Sequence, residues 1–227
     1  MRAYAALSDR LFVLRGERRA GSLAIEAVTE RLDGHSPRCV GTVPAAPDRV
    51  FVGTAEGGLH RSGDGGATFE RVDAFDAERV TAVAVSPHDP REVWVGTEPS
   101  AVYHSTDAGD SWDRREGLTD LPSSSRWSYP PRPDTHHVRW LEPDPHSHER
   151  LYVAIEAGAF VRTTDAGGSW MDHPEGGQRD NHTLGTHSDA PGRVYTAAGD
   201  GYAESTDGGE TWRYPQEGLA HRYLWGL

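Results

Sequence analysis

Short apolar runs recur along the chain and are separated by polar segments rich in glycine, aspartate and serine. Four of these runs share one form, a charged residue followed by β-branched, aromatic and small residues: residues 49–53 (RVFVG), 92–96 (EVWVG), 150–154 (RLYVA) and 193–197 (RVYTA). Apolar runs of this length, bounded by turn-forming residues, predict β-strands. An ungapped alignment of the preceding segments also pairs Val40, Val83, Leu141 and Leu184. The repeating unit therefore contains several strands.

An octet with the pattern [ST]-x-D-x-G-x-[ST]-[WF] follows each run at an almost constant offset. The four octets are residues 62–69 (SGDGGATF), 105–112 (STDAGDSW), 163–170 (TTDAGGSW) and 205–212 (STDGGETW), and their aspartates are spaced by 43, 58 and 42 residues. A hydroxyl and a carboxylate in a tight turn accept backbone N–H groups, and glycine supplies the positive φ of the turn. Each octet is thus predicted to be a hairpin clasp. Its last residue, Phe69, Trp112, Trp170 or Trp212, is expected to be buried between strands.

The octets resemble the Asp-box (BNR) repeat of sialidases, sortilin-like receptors and photosystem II assembly factor-like propellers, and the resemblance covers essentially the whole chain. It implies an all-β fold with almost no helix, a β-propeller of four-stranded antiparallel blades around a central channel. It also implies that the octets lie on the face away from the usual ligand site. The motif is specific for fold and weakly specific for activity.

The repeats predict a single propeller domain over residues 1–227. The whole units are residues 35–77, 78–118, 135–178 and 179–220, and about five units are visible in all. Residues 1–34 are expected to supply the last three strands of a partial blade, and residues 221–227 the first strand of a further one. These ends favour a truncated piece of a longer propeller over a closed five-bladed ring.

One spacing exceeds its neighbours because of a serine- and proline-rich insertion near residues 121–134. An insertion in a repeat array is usually a binding loop or a lid on one face, although a solvated spacer fits the sequence equally well. Trp127, Tyr129 and Arg132 are its most useful contact residues.

Polar clusters precede the innermost predicted strands, at the position that the propeller resemblance places at the channel mouth. The predicted ligand-binding residues are His136, His137, Arg139, Asn181, His182, His221, Arg222, Glu98 and Glu156. His136, His137, His182 and His221 could ligate a divalent metal, with Glu156 or Glu98 completing the shell. Without a metal, Arg139, Arg222 and Asn181 could hold an anionic or sugar-like ligand. Glu56, Glu98, Glu156 and Asp200 align in a second, acidic ring at the same mouth.

Charge, cysteine count and the length of the apolar runs argue against several classes of protein. The formal net charge is −12 at pH 7, which argues against nucleic acid, because a phosphate backbone requires a basic surface. Cys39 is the only cysteine, so an intrachain disulfide is excluded. The sequence lacks an apolar run long enough to span a bilayer and a signal-peptide pattern, so we expect a cytoplasmic protein with no membrane partner.

Three functions fit these features. The first is a propeller that binds a small molecule, a metal or a protein partner at the mouth. The second is a glycosyl hydrolase-like or lyase-type enzyme using the same mouth, and the third is a purely structural scaffold. Sialidase activity is not expected: the Arg-Ile-Pro signature is absent, and neither the arginines Arg38, Arg139 and Arg222 nor the pair Tyr223 and Glu156 match the order of that family.

Overall fold

The computed structural model describes residues 1–19 and 22–227, which form five small antiparallel sheets. The first sheet contains β1 (Arg2–Ala6), β2 (Leu11–Arg19) and β3 (Ser22–Arg31), and the second contains β4 (Pro37–Gly41), β5 (Val50–Thr54), β6 (Leu59–Ser62) and β7 (Glu70–Arg71). The third contains β8 (Val80–Val85), β9 (Val93–Thr97), β10 (Val102–Ser105) and β11 (Asp113–Arg115). The fourth contains β12 (Val138–Pro143), β13 (Leu151–Ile155) and β14 (Ala159–Thr163), and the fifth β15 (Asn181–Thr186), β16 (Val194–Ala198) and β17 (Gly201–Ser205).

The helical content of the described residues is limited to two short 3₁₀ helices, Leu118–Asp120 and Pro122–Arg126. The prediction of an all-β protein is therefore confirmed. In the fourth and fifth sheets, single bridges from Arg162 to Met171 and from Glu204 to Arg213 stand where a fourth strand would pair. The four predicted units thus share one plan, a meander of three strands followed by a short or rudimentary fourth.

The first strands of the five sheets pack side by side. β1 contacts β4, β4 contacts β8, β8 contacts β12, and β12 contacts β15. The expectation that residues 1–34 lack an innermost strand is wrong, because β1 takes that position. β2 occupies the position of a second strand, because its buried residues Leu11 and Val13 pack in one core cluster with Val50 and Val52 of the second strand β5. The strand before it, β1, is therefore the first strand of its sheet.

The core lies between the sheets and is built from the second strands. Every residue of β5, β9 and β13 is buried, because these strands are covered on both faces by neighbouring sheets. The aromatic residues that end the octets are half-buried at the edge of this core, and not fully buried as expected. Their rings pack against core residues and stay partly exposed. Trp212, for example, packs edge-on against Phe160 with ring centroids 4.9 Å apart.

Each octet folds into the same hydrogen-bonded turn. In residues 163–170, Thr163 Oγ1 accepts the Gly167 N–H at 2.9 Å and donates to Asp165 Oδ1 at 2.7 Å. Asp165 also accepts the Ser169 N–H at 2.8 Å and the Ser169 hydroxyl at 2.7 Å. The other three octets repeat these four bonds. The hairpin clasp is therefore present four times.

Candidate functional site

A β-bulge interrupts four of the five innermost strands at the same aligned position. The pairing register shifts between Pro37 and Cys39, between Val80 and Ala82, between Val138 and Trp140, and between Asn181 and Thr183. The extra residues are Arg38, Thr81, Arg139 and His182. A bulge turns its extra side chain away from the normal alternation of the strand. Three of these four residues line one cavity between the sheets.

The cavity has a volume of about 490 Å³ and opens at the end of the inner strands where these bulges lie. Four sheets and the C-terminal segment contribute to its wall, with Ala6 on one side and Trp225 on the other. The charged lining residues are Arg38, Arg79, Glu98, Arg132, Arg139 and Glu156. Four guanidinium groups therefore face two carboxylates, which makes the wall net positive in a protein of net charge −12.

Two of the four arginines are engaged by the carboxylates. Arg132 forms an ion pair with Glu98, which is 8% exposed. Arg139 Nε lies 3.3 Å from Glu156 Oε2, and His137 Nε2 lies 3.1 Å from the same oxygen. Burial raises the pKa of Glu156, but the hydrogen bond from His137 and the charges of His137 and Arg139 outweigh it and lower that pKa. Glu156 is therefore held as a carboxylate.

The other two arginines are available to a ligand. Within residues 1–19 and 22–227, the Arg38 side chain makes no hydrogen bond and no ion pair, and it is exposed to the cavity. Arg79 has one distant partner, Glu56, with 3.8 Å between the charged atoms, and Glu56 is 80% exposed. An exposed pair of this kind contributes little, so Arg79 is easily redirected.

The insertion predicted as a lid or a spacer folds over this cavity. Trp127 anchors it: the ring is buried, and Nε1 donates to Ser123 Oγ at 3.0 Å. Tyr129 and Arg132 then reach the cavity wall, where the Tyr129 ring packs edge-on against His137 with centroids 4.5 Å apart. Of the three contact residues expected from the sequence, two line the cavity and Trp127 holds the loop in place.

A second, apolar cavity of about 310 Å³ continues from the first between the inner strands. The two share Ala6, Arg38, Thr81 and Arg139. Below these residues the wall is formed by Val40, Ala82, Val83, Trp140 and Leu141, together with Cys39. Burial raises the pKa of Cys39 to about 12, so the residue is an inert thiol at neutral pH. The two cavities together therefore form a channel that is lined by charged residues at its mouth and mainly by apolar residues farther in.

The predicted site residues fall into three groups. His137, Arg139, Glu98 and Glu156 line the cavity. His182 is fully buried beside it, beneath the ring of Trp225, and Asn181 is buried in bonds to Gln178 and Thr196. His136 packs edge-on against Trp127 at 5.5 Å, while His221 and Arg222 are exposed on the C-terminal segment and do not line the cavity.

The acidic ring expected from the aligned loops divides in the same way. Glu98 and Glu156 face the cavity, Glu56 is exposed beside Arg79, and Asp200 Oδ2 accepts the Arg179 N–H at 3.3 Å. Arg79 and Trp225 line the cavity but were not among the ligand-binding residues predicted from the sequence. The alignment does place Arg79 at the mouth, because it precedes the bulge residue Thr81 by two positions, as His137 precedes Arg139. The alignment gave no reason to choose it as a ligand contact. Trp225 becomes a wall residue because Thr183 Oγ1 donates to its carbonyl at 3.0 Å.

Comparison with solved structures shows the fold. YCF48 bound to D1 peptide matches with a TM-score of 0.59 and 19% identity over 83% of this chain and 57% of that one. The GH74 xyloglucanase from Xanthomonas campestris matches with a TM-score of 0.55 and 18% identity over 90% of this chain and 36% of that one. The extracellular domain of BT4673 from B. thetaiotaomicron matches with a TM-score of 0.65 and 10% identity over 99% of this chain and 28% of that one.

These likenesses show that the chain has a propeller-like fold, and at these identities they show the fold alone. The chain spans between about a quarter and about three fifths of the length of these structures. No protein-family model matches the sequence, and no curated protein matches it. In the described part of the chain, no helix has the length and apolar character needed to cross a membrane.

Proposed function

We propose that this chain is an Asp-box propeller module that binds an acidic peptide segment of a partner protein at its arginine-lined channel mouth. The observation that carries the proposal is Arg38, a cation at a bulge position that faces the cavity and has no side-chain partner among the described residues. Arg79 lines the same cavity, and its ion pair in the described part of the chain is the weak, exposed one with Glu56. Guanidinium groups bind carboxylates in bidentate fashion, and a concave wall strengthens the attraction.

The peptide as ligand class is supported by two features. The first is that YCF48, which shares the fold, has been solved with a bound peptide. The second is the two-part channel, in which an apolar cavity continues beneath the arginines. A peptide carboxylate at Arg38 and Arg79 would leave a neighbouring apolar side chain free to enter between Val40, Val83 and Leu141.

The enzymatic alternative has less support from the geometry. Glycoside hydrolysis uses two carboxyl groups, one of them protonated as the acid. Glu98 and Glu156 are the carboxylates of the cavity, and each is paired with a guanidinium group. The lowered pKa of Glu156 also opposes a proton-donor role. Tyr223 is no better as a nucleophile, since desolvation and the charges of Asp180 and Glu156 raise its pKa.

Binding is tested by fluorescence anisotropy with a labelled peptide that contains two aspartates and one leucine. Its matched control replaces both aspartates with asparagine. We expect the acidic peptide to bind and the neutral one to bind at least about tenfold more weakly, with affinity falling as salt rises. The double variant Arg38→Gln/Arg79→Gln should lose the preference, while Arg222→Gln should keep it. Equal binding of both peptides, or an unchanged preference in the double variant, would refute the proposal.

A further inference from the structure

His182 is held with one ring nitrogen fixed and the other free. Its side chain has no exposed surface, and the Trp225 ring stacks on it with centroids 4.4 Å apart and planes 16° apart. Nδ1 lies 2.7 Å from the carbonyl oxygen of Leu224. A carbonyl oxygen only accepts hydrogen bonds, so Nδ1 carries a proton. In the neutral ring, Nε2 then presents a lone pair.

Two carboxylates lie close to this imidazole ring. Nε2 lies 3.6 Å from Asp180 Oδ1, which is beyond hydrogen-bond distance, and within the described residues it forms no hydrogen bond although it is buried. One ligand atom each from Glu156, Asp180 and His182 lie within 4.8 Å of one another. A buried polar atom without a partner is costly, and a lone pair facing anionic oxygens adds repulsion. A cation between the three groups removes both costs.

The two carboxylates are oriented by neighbours that leave ligand atoms available. The ion pairs of Glu156 with His137 and Arg139 both end on Oε2, and neither of them uses Oε1. Asp180 Oδ1 accepts the Ala157 N–H at 3.2 Å, which fixes the carboxylate against the neighbouring sheet. Outer hydrogen bonds of this kind, including the bond from His182 Nδ1 to a backbone carbonyl, are the usual support of metal ligands.

We propose that Glu156, Asp180 and His182 form a binding site for a divalent transition-metal ion, with Zn²⁺ as the best fit. An imidazole nitrogen with two carboxylates suits zinc, whereas calcium and magnesium prefer all-oxygen shells. Three protein ligands leave a coordination position open. The site is separate from the proposed peptide contacts, since Arg38 and Arg79 are not among its ligands, so either proposal can fail without the other.

Metal binding is measured on the full chain after removal of ions with a chelator. Isothermal titration with Zn²⁺ should give one ion per chain, and Co²⁺ should give the visible absorption of a low-symmetry site with a nitrogen ligand. His182→Gln and Asp180→Asn should each weaken Zn²⁺ binding by about tenfold or more. His187→Gln is the matched control, because His187 is an exposed histidine that accepts a local N–H from Asp189. Arg38→Gln should leave the titration unchanged.

The folding of the two ligand variants is checked separately, so that a loss of metal binding is not mistaken for a loss of structure. Asp180→Asn preserves the size of a half-buried side chain, and its thermal unfolding without metal is compared with that of the unchanged protein. Circular dichroism of both variants should keep the all-β spectrum. The proposal is overturned if Zn²⁺ binds without defined stoichiometry, or if Asp180→Asn and His182→Gln bind it as tightly as the unchanged chain.

Discussion

The octet turns and the channel mouth are two repeated regions of the same sheets, and they use repetition in opposite ways. In the octets, the same hydroxyl, carboxylate and glycine recur four times with the same hydrogen bonds. At the mouth, the same bulge recurs four times, but its extra residue is of three different types: Arg38, Thr81, Arg139 and His182. The backbone repeats in both regions, whereas the chemistry repeats only in the octets.

The octets and the mouth also differ in how completely their polar side-chain atoms are hydrogen-bonded. Octet hydroxyls and carboxylates are saturated by bonds inside their own turn, which leaves them little capacity for a ligand. At the mouth, buried nitrogens of His136, His137 and His182 lack hydrogen-bond partners among the described residues. Unsatisfied buried atoms are rare unless a function retains them. The octets of each sheet are thus expected to contribute stability and the mouth residues to contribute binding. Substitutions in the octets should therefore lower stability, whereas those at the mouth should leave it nearly unchanged.

The largest effect is expected at Gly209 of the last octet. It has φ +82°, and a Cβ there would lie 2.6 Å from the buried ring of Phe160. Gly209→Ala should lower the free energy of unfolding by about 3 kcal/mol, from the left-handed backbone and the forced contact together. Gly218 has the same φ of +82° with no atom within 4 Å, so Gly218→Ala should cost only about 1 kcal/mol. Equal losses in urea denaturation would show that the ring contact is unimportant.

The sequence predicted the octet region well because its information is local. A hydroxyl, an aspartate and a glycine within eight residues determine one turn, and four copies determine the repeat. The mouth is different, since Arg38, Arg139 and Glu156 meet through packing of separate sheets. Alignment placed His137, Arg139 and Glu156 near one another. That Arg38 has no side-chain partner among the described residues, and that Trp225 covers His182, depends on distances between sheets, which the alignment does not contain. The position of β1 was missed because an inner and an outer strand have similar short apolar patterns.

A smaller loss is expected from the buried hydroxyl of Thr163. It accepts the Gly167 N–H, and valine of the same shape would leave that buried N–H unpaired. Thr163→Val should reduce the free energy of unfolding by about 2 kcal/mol. Thr164→Val, at the exposed neighbour in the same octet, should change it by less than about 0.5 kcal/mol. A similar result for both variants in thermal unfolding would contradict the role of the hydroxyl as a clasp.

Acid should weaken the octets before it affects most of the core. Hydrogen bonds from the Ser111 hydroxyl and backbone lower the pKa of Asp107 to about 2, and hydrogen bonds in the fourth octet hold the pKa of Asp207 at about 2 against the effect of burial. A carboxyl whose pKa is lower in the folded state stabilises that state above its unfolded pKa and loses this effect as pH falls. The unfolding temperature should therefore fall between about pH 4 and pH 2.

The Asp207→Asn variant identifies the carboxylate responsible for that acid dependence. It should unfold at a lower temperature than the unchanged chain at pH 7, and the difference should shrink toward pH 2 as the native carboxyl becomes protonated. Asp73→Asn is the control, because Asp73 is 89% exposed and its side chain has, among the described residues, a single 3.5 Å pair with Arg71. A difference for Asp207→Asn that grows as pH falls would reverse the expected sign.

The smallest effect on stability is expected at the mouth itself. Arg38 has no partner in the described part of the chain, so Arg38→Gln removes no bond from the folded state. It also relieves repulsion from the other guanidinium groups that line the cavity. The free energy of unfolding should stay within about 0.5 kcal/mol of its original value, or rise slightly. A clear loss of unfolding free energy would mean that Arg38 stabilises the fold, as the octets do. The octets could then no longer be regarded as the stabilising region and the mouth as a region used for binding alone.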